Sequence, residues 1–205
     1  MSDKIIYALT GLPGVGKSSV AERLANSGKL PIVNMGEEMK KQYQSMPISG
    51  HHDDVPQGTW EMAQALRDKF GPEGPAVASV SRVGAALVEH DRVVVDGIRS
   101  IDEVWLFSDM FIDADVHLIK VTADYDTRLD RFYDRGDYAR YDVMSGSTQR
   151  VLAEKDMNDR TEREAEEGLR NAIEEAEYEI DNSGSLKDAE EQCLDLLDEL
   201  DPIHG

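Results

Sequence analysis

The sequence predicts an α/β fold in which a five-stranded parallel sheet lies between layers of helices. Short apolar runs alternate with longer amphipathic runs along the chain, and the first apolar run leads into a glycine-rich loop and then a helical pattern. Strands that alternate with helices are typical of parallel sheets with helical crossovers on both faces. A chain of 205 residues is long enough for one such domain with insertions.

Five apolar runs have the length and composition of strands. They are Lys4–Thr10, Pro31–Met35, Arg92–Asp96, Val116–Thr122 and Tyr178–Asp181. Eight segments repeat their apolar residues at helical spacing. They are Lys17–Asn26, Gly36–Ser45, Thr59–Phe70, Ala76–His90, Asp102–Ser108, Tyr125–Arg135, Asp159–Ala176 and Leu186–Leu200.

Two segments interrupt this alternation. In Pro47–Pro75, glycine and proline surround one helical pattern, and the stretch Asp134–Arg150 is polar and offers little to a core. Such segments suit parts that cover a site or move over it. We therefore predict one domain over residues 1–205, with an insertion at 36–75 and a lid segment at 134–160, of which Asp134–Arg150 is expected to be mobile.

The glycine-rich loop has the pattern G-x-x-x-x-G-K-[ST]. Residues Gly11-Leu12-Pro13-Gly14-Val15-Gly16-Lys17-Ser18 match it at every fixed position. Small residues let backbone N–H groups surround a phosphate chain, and the following helix directs its positive end at the same anion. A lysine here reaches the β- and γ-phosphates, and the hydroxyl that follows it binds Mg²⁺. The predicted ligands of ATP are Gly11, Pro13, Gly14, Val15, Gly16, Lys17, Ser18 and Ser19.

Charged residues follow the third predicted strand, where Val93-Val94-Val95 leads into Asp96-Gly97-Ile98-Arg99. Ligands of open α/β sheets bind beyond the carboxyl ends of the strands. An aspartate at that position can hold Mg²⁺ directly or through water, and an arginine can bind a phosphate with two hydrogen bonds. Ser18 and Asp96 are therefore the predicted metal ligands, and Arg99 is a predicted phosphate ligand.

Arginines at helical spacing flank the predicted lid. They are Arg128, Arg131, Arg135, Arg160 and Arg163. Spacings of three and four residues place the members of each group near one helix face. In one interpretation, lid closure brings these cations to a phosphoryl group. In the other, individual arginines pair with nearby carboxylates such as Asp130, Asp134, Glu162 and Glu164, as surface charges commonly do.

With these motifs, the chain resembles the small P-loop kinases of the adenylate kinase and dephospho-coenzyme-A kinase group. It looks closest to an uncharacterised archaeal family of that group. The resemblance implies a P-loop NTPase-type three-layer sandwich with acceptor-binding and lid insertions. Arg160-Thr161-Glu162-Arg163-Glu164 is similar to the second lid motif of the archaeal family, with Thr161 where an acid is usual.

The resemblance also assigns roles to residues. Gly36-Glu37-Glu38-Met39-Lys40 is similar to a Gly-Asp-x-x-Arg segment that holds the acceptor's phosphate in nucleoside monophosphate kinases, with Glu for Asp and Lys for Arg. Asp96-Gly97-Ile98-Arg99 resembles their Asp-Gly-x-x-Arg segment, with the arginine one residue early. The acceptor ligands so implied are Gly36, Glu37, Lys40 and Arg99. The catalytic residues so implied are Lys17, Asp96, Arg99, Arg131 and Arg160.

The function expected from these motifs is ATP- and Mg²⁺-dependent transfer of a phosphoryl group to a small phosphorylated metabolite, as in nucleoside monophosphate kinases. One alternative is transfer to a hydroxyl, as in dephospho-coenzyme-A kinases, for which Glu37 or Asp96 could serve as the base. Another is a regulatory ATPase that has no small acceptor.

Composition limits the partners. The chain carries 42 acidic and 22 basic residues, for a net charge of −20, so its surface repels nucleic-acid phosphates. This acidity is also expected of a protein that works at high salt, and the alternative is an acidic protein of an ordinary mesophile. No apolar run is long enough for a membrane span, and a lone cysteine, Cys193, suits a reducing compartment. We expect a cytoplasmic monomer or small homo-oligomer.

Overall fold

The computed structural model describes residues 4–45, 59–135 and 146–200. It has a five-stranded parallel sheet in the order β2-β3-β1-β4-β5, with helices packed against it, and this confirms the predicted fold class. The strands are β1 Lys4–Thr10, β2 Ile32–Asn34, β3 Arg92–Asp96, β4 Ala114–Thr122 and β5 Tyr178–Asp181.

The helices follow the strands as crossovers or flank the sheet. In chain order they are α1 Lys17–Gly28, α2 Met35–Ser45, α3 Thr59–Phe70, α4 Gly74–Val77, α5 Val80–His90, α6 Ile101–Met110, α7 Tyr125–Arg135, α8 Gly146–Glu166, α9 Leu169–Glu174 and α10 Leu186–Leu200. None of the helices within the described ranges is both long and apolar enough to cross a membrane.

Two of the predicted helices are wrong in extent. The segment Ala76–His90 forms two helices, α4 and α5, because the chain leaves helical hydrogen bonding around Ser79. The segment Asp159–Ala176 also divides, because Gly168 has a φ of 101° and separates α8 from α9. Residues other than glycine rarely adopt that conformation, so this glycine marks a helix boundary.

Helix α8 also begins earlier than predicted, at Gly146. Its buried Ala153 and Met157 pack against Leu129 of α7, and this small cluster stabilises a segment whose sequence is mainly polar. The end of the polar stretch Asp134–Arg150 is therefore helical, whereas residues 136–145 of the predicted lid lie outside the described residues. Residues 46–58 of the predicted insertion also lie outside the described residues. The insertion at 36–75 and the lid at 134–160 therefore stay predictions.

The core lies on both faces of the sheet because β1 is buried on both. Ile6 and Ala8 face a cluster that includes Phe107 of α6, whereas Tyr7 and Leu9 face a cluster that includes Leu24 of α1. Because β1 is buried on both faces, its sequence is an unbroken apolar run rather than an alternating one.

The sheet register aligns the carboxyl ends of the central strands. Leu9 of β1 lies beside Asp96 of β3, and Asp96 lies beside Asn34 of β2. Because the strands are parallel, the loop that begins at Gly11 and the residues after Asp96 leave the sheet at the same edge.

Candidate active site

The glycine-rich loop is closely packed on its outer side. Gly11, Gly14 and Gly16 have φ angles of 145°, 86° and 85°. A Cβ atom on Gly11 would collide with the carbonyl oxygen of Val121, and one on Gly14 would lie 3.0 Å from the Phe132 ring. Gly16 is the N-cap residue of α1, and it has no side chain that could accept from the first N–H groups of the helix. Such a terminus is suited to an anion.

Two arginines of α7 hold this loop by its carbonyl groups. Arg128 Nε donates to the carbonyl of Pro13 over 2.9 Å. Arg131 donates to the carbonyls of Val15 over 2.8 Å and Asn182 over 2.7 Å. Both hydrogen bonds of Arg131 thus join the loop to the turn after β5. The catalytic role of Arg131 stays a prediction.

Ser18 and Asp96, the predicted metal ligands, are in contact. Ser18 Oγ donates to Asp96 Oδ2 over 2.8 Å, and Asn34 Nδ2 donates to the same oxygen over 3.0 Å. Asn34 Oδ1 also accepts from the backbone N–H of Glu37, so this side chain links the end of β3 to the start of α2. Sequence reasoning missed Asn34, although a capping-type residue at the end of a strand was a usable signal.

These residues fit Mg²⁺ chemically. A hydroxyl and a carboxylate are hard oxygen donors, and Mg²⁺ is usually bound by few protein oxygens together with water and phosphate. Ser18, at the end of the loop, is exposed, whereas Asp96 is buried. The pair is therefore accessible from the side of the loop. Their assignment as metal ligands stays a prediction.

The Lys17 ammonium lies against the loop that precedes it. Lys17 Nζ donates to the carbonyls of Gly11 over 2.6 Å and Leu12 over 3.2 Å. Burial lowers the pKa of this lysine to about 8, although the carboxylates of Glu164 and Asp96 act in the opposite direction. The group therefore carries its charge at neutral pH, in surroundings that favour the approach of a further anion.

Glu164 joins two of the predicted cationic ligands. Its Oε1 atom lies 2.8 Å from Arg160 Nε and 3.6 Å from Arg99 Nε. Burial raises the pKa of Glu164, but Arg99, Lys17 and Arg160 together outweigh this effect and hold it below its ordinary value. The structure thus brings together Lys17, Arg99 and Arg160, which are far apart in the chain, around a carboxylate that the sequence suggested only as a possible arginine partner.

Other predicted ligands are not drawn into this cluster. Glu37 and Lys40 are exposed on α2, next to Gly36, and the ion pair on this helix joins Lys41 to Glu38 at 2.6 Å. Ser19 accepts from Arg23 of its own helix over 2.6 Å. Acceptor binding by Gly36, Glu37 and Lys40, and nucleotide binding by Ser19, stay predictions.

A cavity opens at the loop between α1 and the helices α7 and α8. It has a volume of about 300 Å³, and a second cavity of about 680 Å³ along α8 shares Phe132, Asp156 and Arg160 with it. Cavities of this size are common for small ligands and cofactors. The first cavity is lined by Pro13, Gly14, Gly16, Lys17, Ser18, Phe132, Arg135, Asp156 and Arg160.

A second buried network supports Arg99 from behind. The backbone N–H of Arg99 donates to Glu103 Oε2 over 2.6 Å, and Glu103 forms a capping box with Ser100 at the start of α6. Arg67 of α3 lies 3.9 Å from Glu103 and 3.1 Å from Glu167. Burial raises the pKa of Glu103 to about 7. No local pattern in the sequence indicates this connection between α3 and the turn that carries Arg99.

Comparisons with known proteins agree with this geometry. A family model described as an AAA domain matches residues 8–152, which contain the loop, Asp96 and Arg99. A UPF0200 protein of Halobacterium salinarum is 33% identical over 192 residues, which cover 94% of this chain and 92% of the relative. The chain belongs to the AAA domain family and to the UPF0200 proteins. Another UPF0200 relative, from Methanocaldococcus jannaschii, is 31% identical over 96% of this chain and 88% of its own length. The archaeal resemblance is thereby confirmed.

Solved structures show the same fold. The structure of TT1252 from Thermus thermophilus has a TM-score of 0.56 at 20% identity and covers 96% of this chain and 98% of that one. A shikimate kinase from Bacteroides thetaiotaomicron has a TM-score of 0.51 at 13% identity, with the same coverage. This UPF0200 chain therefore has the P-loop kinase-like fold that its motifs imply.

Proposed function

We propose that the protein is an ATP-dependent phosphotransferase that moves the γ-phosphoryl group to a small phosphorylated metabolite, in the manner of nucleoside monophosphate kinases. The observation that carries this proposal is the convergence of Lys17, Arg99 and Arg160 beside the Ser18–Asp96 pair. Phosphoryl transfer depends mainly on positioning and on neutralising the charge of the transferred group, and this cluster supplies both.

The donor half of the proposed site is the loop and its flanks. Residues 11–19 would hold the phosphates of ATP, with Lys17 at the β- and γ-phosphates. Ser18 and Asp96 would hold Mg²⁺, which when bound neutralises phosphate charge and orients its oxygens. Asn34 would keep the Asp96 carboxylate directed at Ser18 through its own hydrogen bond. Arg128 and Arg131 would maintain the shape of the loop.

The acceptor half is better suited to a phosphate than to a hydroxyl. A phosphate oxygen is already ionised and attacks without a base, whereas a hydroxyl benefits from one. The Asp96 carboxylate accepts from Ser18 and Asn34, and the arginines that surround Glu164 hold its pKa low. A carboxylate whose pKa is held low, as that of Glu164 is, is a weak base. Arg99 and Arg160 are instead suited to an anionic acceptor, to which Lys40 could contribute from α2.

Insertion and lid would complete this arrangement. Residues 36–75 would enclose the acceptor, and residues 134–160 would close over the donor with Arg160 at the end of the lid. The connection from Arg67 of α3 to Glu103 and Glu167 supports this proposal, because it links the insertion to the turn that carries Arg99.

The test is a phosphoryl-transfer screen with ATP and Mg²⁺ over nucleoside monophosphates and dephospho-coenzyme A, at low and molar salt. We expect turnover with a phosphate acceptor, and we expect Lys17→Met to lower it by roughly two to three orders of magnitude. Transfer only to dephospho-coenzyme A would favour the hydroxyl alternative, and hydrolysis that no acceptor stimulates would favour a regulatory ATPase. As a further check, Arg99→Ala should lower the kcat/KM of the acceptor.

A further inference from the structure

Glu164 occupies a central place among the cations of the proposed site. Its side chain is only 6% exposed, and it contacts Arg160 of its own helix and Arg99 from the end of β3. Its negative charge also acts on Lys17, whose pKa it raises against the larger lowering effect of burial. One carboxylate therefore serves cations from three separate elements, α1, α8 and the segment after β3.

The position of α8 is itself determined by contacts with the loop region. Thirty-three residues separate Arg128 from Thr161 in the chain, yet Arg128 Nη2 donates to Thr161 Oγ1 over 3.1 Å. Thr161 lies one helical turn before Glu164, and its hydroxyl also donates to the carbonyl of Met157 over 2.7 Å. The helix that carries Glu164 is thus joined to the same arginine that holds Pro13. The carboxylate is directed at Arg99 by this packing as well as by its own ion pairs.

A phosphate chain on the loop would need the same cations. Lys17, Arg99 and Arg160 carry three positive charges, and Glu164 offsets one of them directly. A γ-phosphate and a buried carboxylate that compete for one set of guanidinium and ammonium groups repel each other strongly, because partly buried charges are poorly screened.

We propose that Glu164 is a built-in competitor of the γ-phosphate: its carboxylate pairs with Arg99 and Arg160 and gives them up when a phosphate reaches them. This inference rests on the proposed nucleotide-binding function of the loop. Glu164 would reduce the repulsion among the three cations of the site. It would also weaken binding of the γ-phosphate, because it competes for these cations. The low pKa of Glu164 agrees with this role, because the group stays ionised throughout.

The consequence is opposite to that of an ordinary stabilising ion pair. If Glu164 were only structural, its removal would loosen the site and weaken binding of every nucleotide. If Glu164 competes with the γ-phosphate, its neutralisation should tighten binding, and more so for ATP than for ADP, because ADP lacks the phosphate that extends toward the arginines.

The experiment measures the Kd of ATP and of ADP by titration calorimetry at fixed salt, in the intact chain and in three variants. In Glu164→Gln, ATP should bind at least about threefold more tightly, with a smaller gain for ADP. Glu164→Asp keeps the charge but withdraws it by one methylene, and it should fall between the intact chain and Glu164→Gln. Glu174→Gln removes the same charge from an exposed position at the end of α9, where solvent screens it, and should leave both constants unchanged.

The outcomes separate this inference from the proposed function. If the intact chain binds neither nucleotide, the proposed function fails. If the intact chain binds both, and Glu164→Gln binds ATP equally or more weakly, or gains as much for ADP as for ATP, Glu164 is not a competitor. Should Glu164→Gln not fold, as judged by thermal unfolding, the comparison of Glu164→Asp with the intact chain decides the question by the same criteria.

Discussion

Asn34 donates a 3.0 Å hydrogen bond to the same Asp96 oxygen that accepts from Ser18, although it lies 62 residues before Asp96 in the chain. Asn34 also caps the start of α2 through the backbone N–H of Glu37. One amide therefore connects the proposed metal ligands to the helix that begins the proposed acceptor insertion, and this connection gives the first prediction.

Asn34→Ala should increase the Mg²⁺ concentration needed for half-maximal turnover several-fold, because Asp96 loses the donor that orients it. The loss of a cap and of a partly buried hydrogen bond should also lower the free energy of unfolding by about 1–2 kcal/mol. The measurements are a Mg²⁺ titration of turnover and a urea unfolding curve. Asn26→Ala, at an exposed position of α1, is the control. An unchanged Mg²⁺ requirement in Asn34→Ala would remove Asn34 from the metal site.

Arg131→Ala should weaken ATP binding by about tenfold or more, because the Val15 carbonyl of the loop and the Asn182 carbonyl after β5 lose their shared donor and the loop loses its shape. Arg131→Lys should recover little, since one ammonium group cannot bridge the carbonyls of Val15 and Asn182 as a planar guanidinium does. Equilibrium binding of ATP measures both variants, with Arg170→Ala at an exposed position of α9 as the control. Normal ATP affinity combined with lost turnover would instead support the catalytic role that the sequence suggested for Arg131.

Lys17→Met should reduce turnover by roughly two to three orders of magnitude, because a charge that contacts the transferred phosphate in a desolvated site stabilises the transition state by several kcal/mol. The thermal midpoint should change little, since burial already disfavours the charged form and lowers the pKa of this lysine. Steady-state kinetics and thermal unfolding together provide the test. Lys41→Met, which removes an exposed ammonium of α2, should behave like the intact chain. Near-normal turnover of Lys17→Met would refute the assignment of the loop.

Glu103 predicts a pH dependence of stability. Burial raises its pKa from the ordinary value of 4.5 to about 7, so between these pH values the folded chain binds more protons at this group than the unfolded chain. The contribution of Glu103 to the free energy of unfolding should therefore be largest below about pH 4.5 and fall by about 3 kcal/mol as the pH rises to 7.

Glu103→Gln removes this titration while its amide oxygen can still accept from the N–H groups of Arg99 and Ser100. The difference in the free energy of unfolding between the intact chain and this variant should change steadily from pH 4.5 to 7. Urea unfolding at several pH values measures it, and Asp109→Asn, at an exposed position of the same helix, should show no such trend. A constant difference for Glu103→Gln would mean that Arg67 keeps Glu103 ionised in the folded chain.

The acidic surface predicts a response to salt. A net charge of −20 implies repulsion among carboxylates in dilute buffer, and added ions screen it. The thermal midpoint should rise from dilute buffer to molar KCl. It should keep rising at salt concentrations that already screen ordinary surface ion pairs. Calorimetry over a KCl series measures this, and a flat or falling midpoint would reject adaptation to high salt.

Local pattern was sufficient for most of the elements. The bounds of β1, β3 and β5, and those of α3, α7 and α10, agree with the sequence prediction, because apolar periodicity is a property of neighbouring residues and survives folding. The prediction was wrong where a tertiary contact outweighed composition. A polar segment became the start of α8 once Ala153 and Met157 could pack on Leu129, and Gly168 ended that helical region earlier than its periodicity suggested.

The sequence by itself determined the fold class, the phosphate-loop motif and its family, because each depends on spacing within short segments. Only the tertiary structure decided which side chains meet. Asn34 reaches Asp96 because β2 pairs with β3, and Glu164 reaches Arg99 because α8 packs on α7. Arg131 donates to the Val15 carbonyl because α7 lies against the loop, with Phe132 close to Gly14. These relationships depend on strand order and on the rotation of whole helices, which no local spacing encodes.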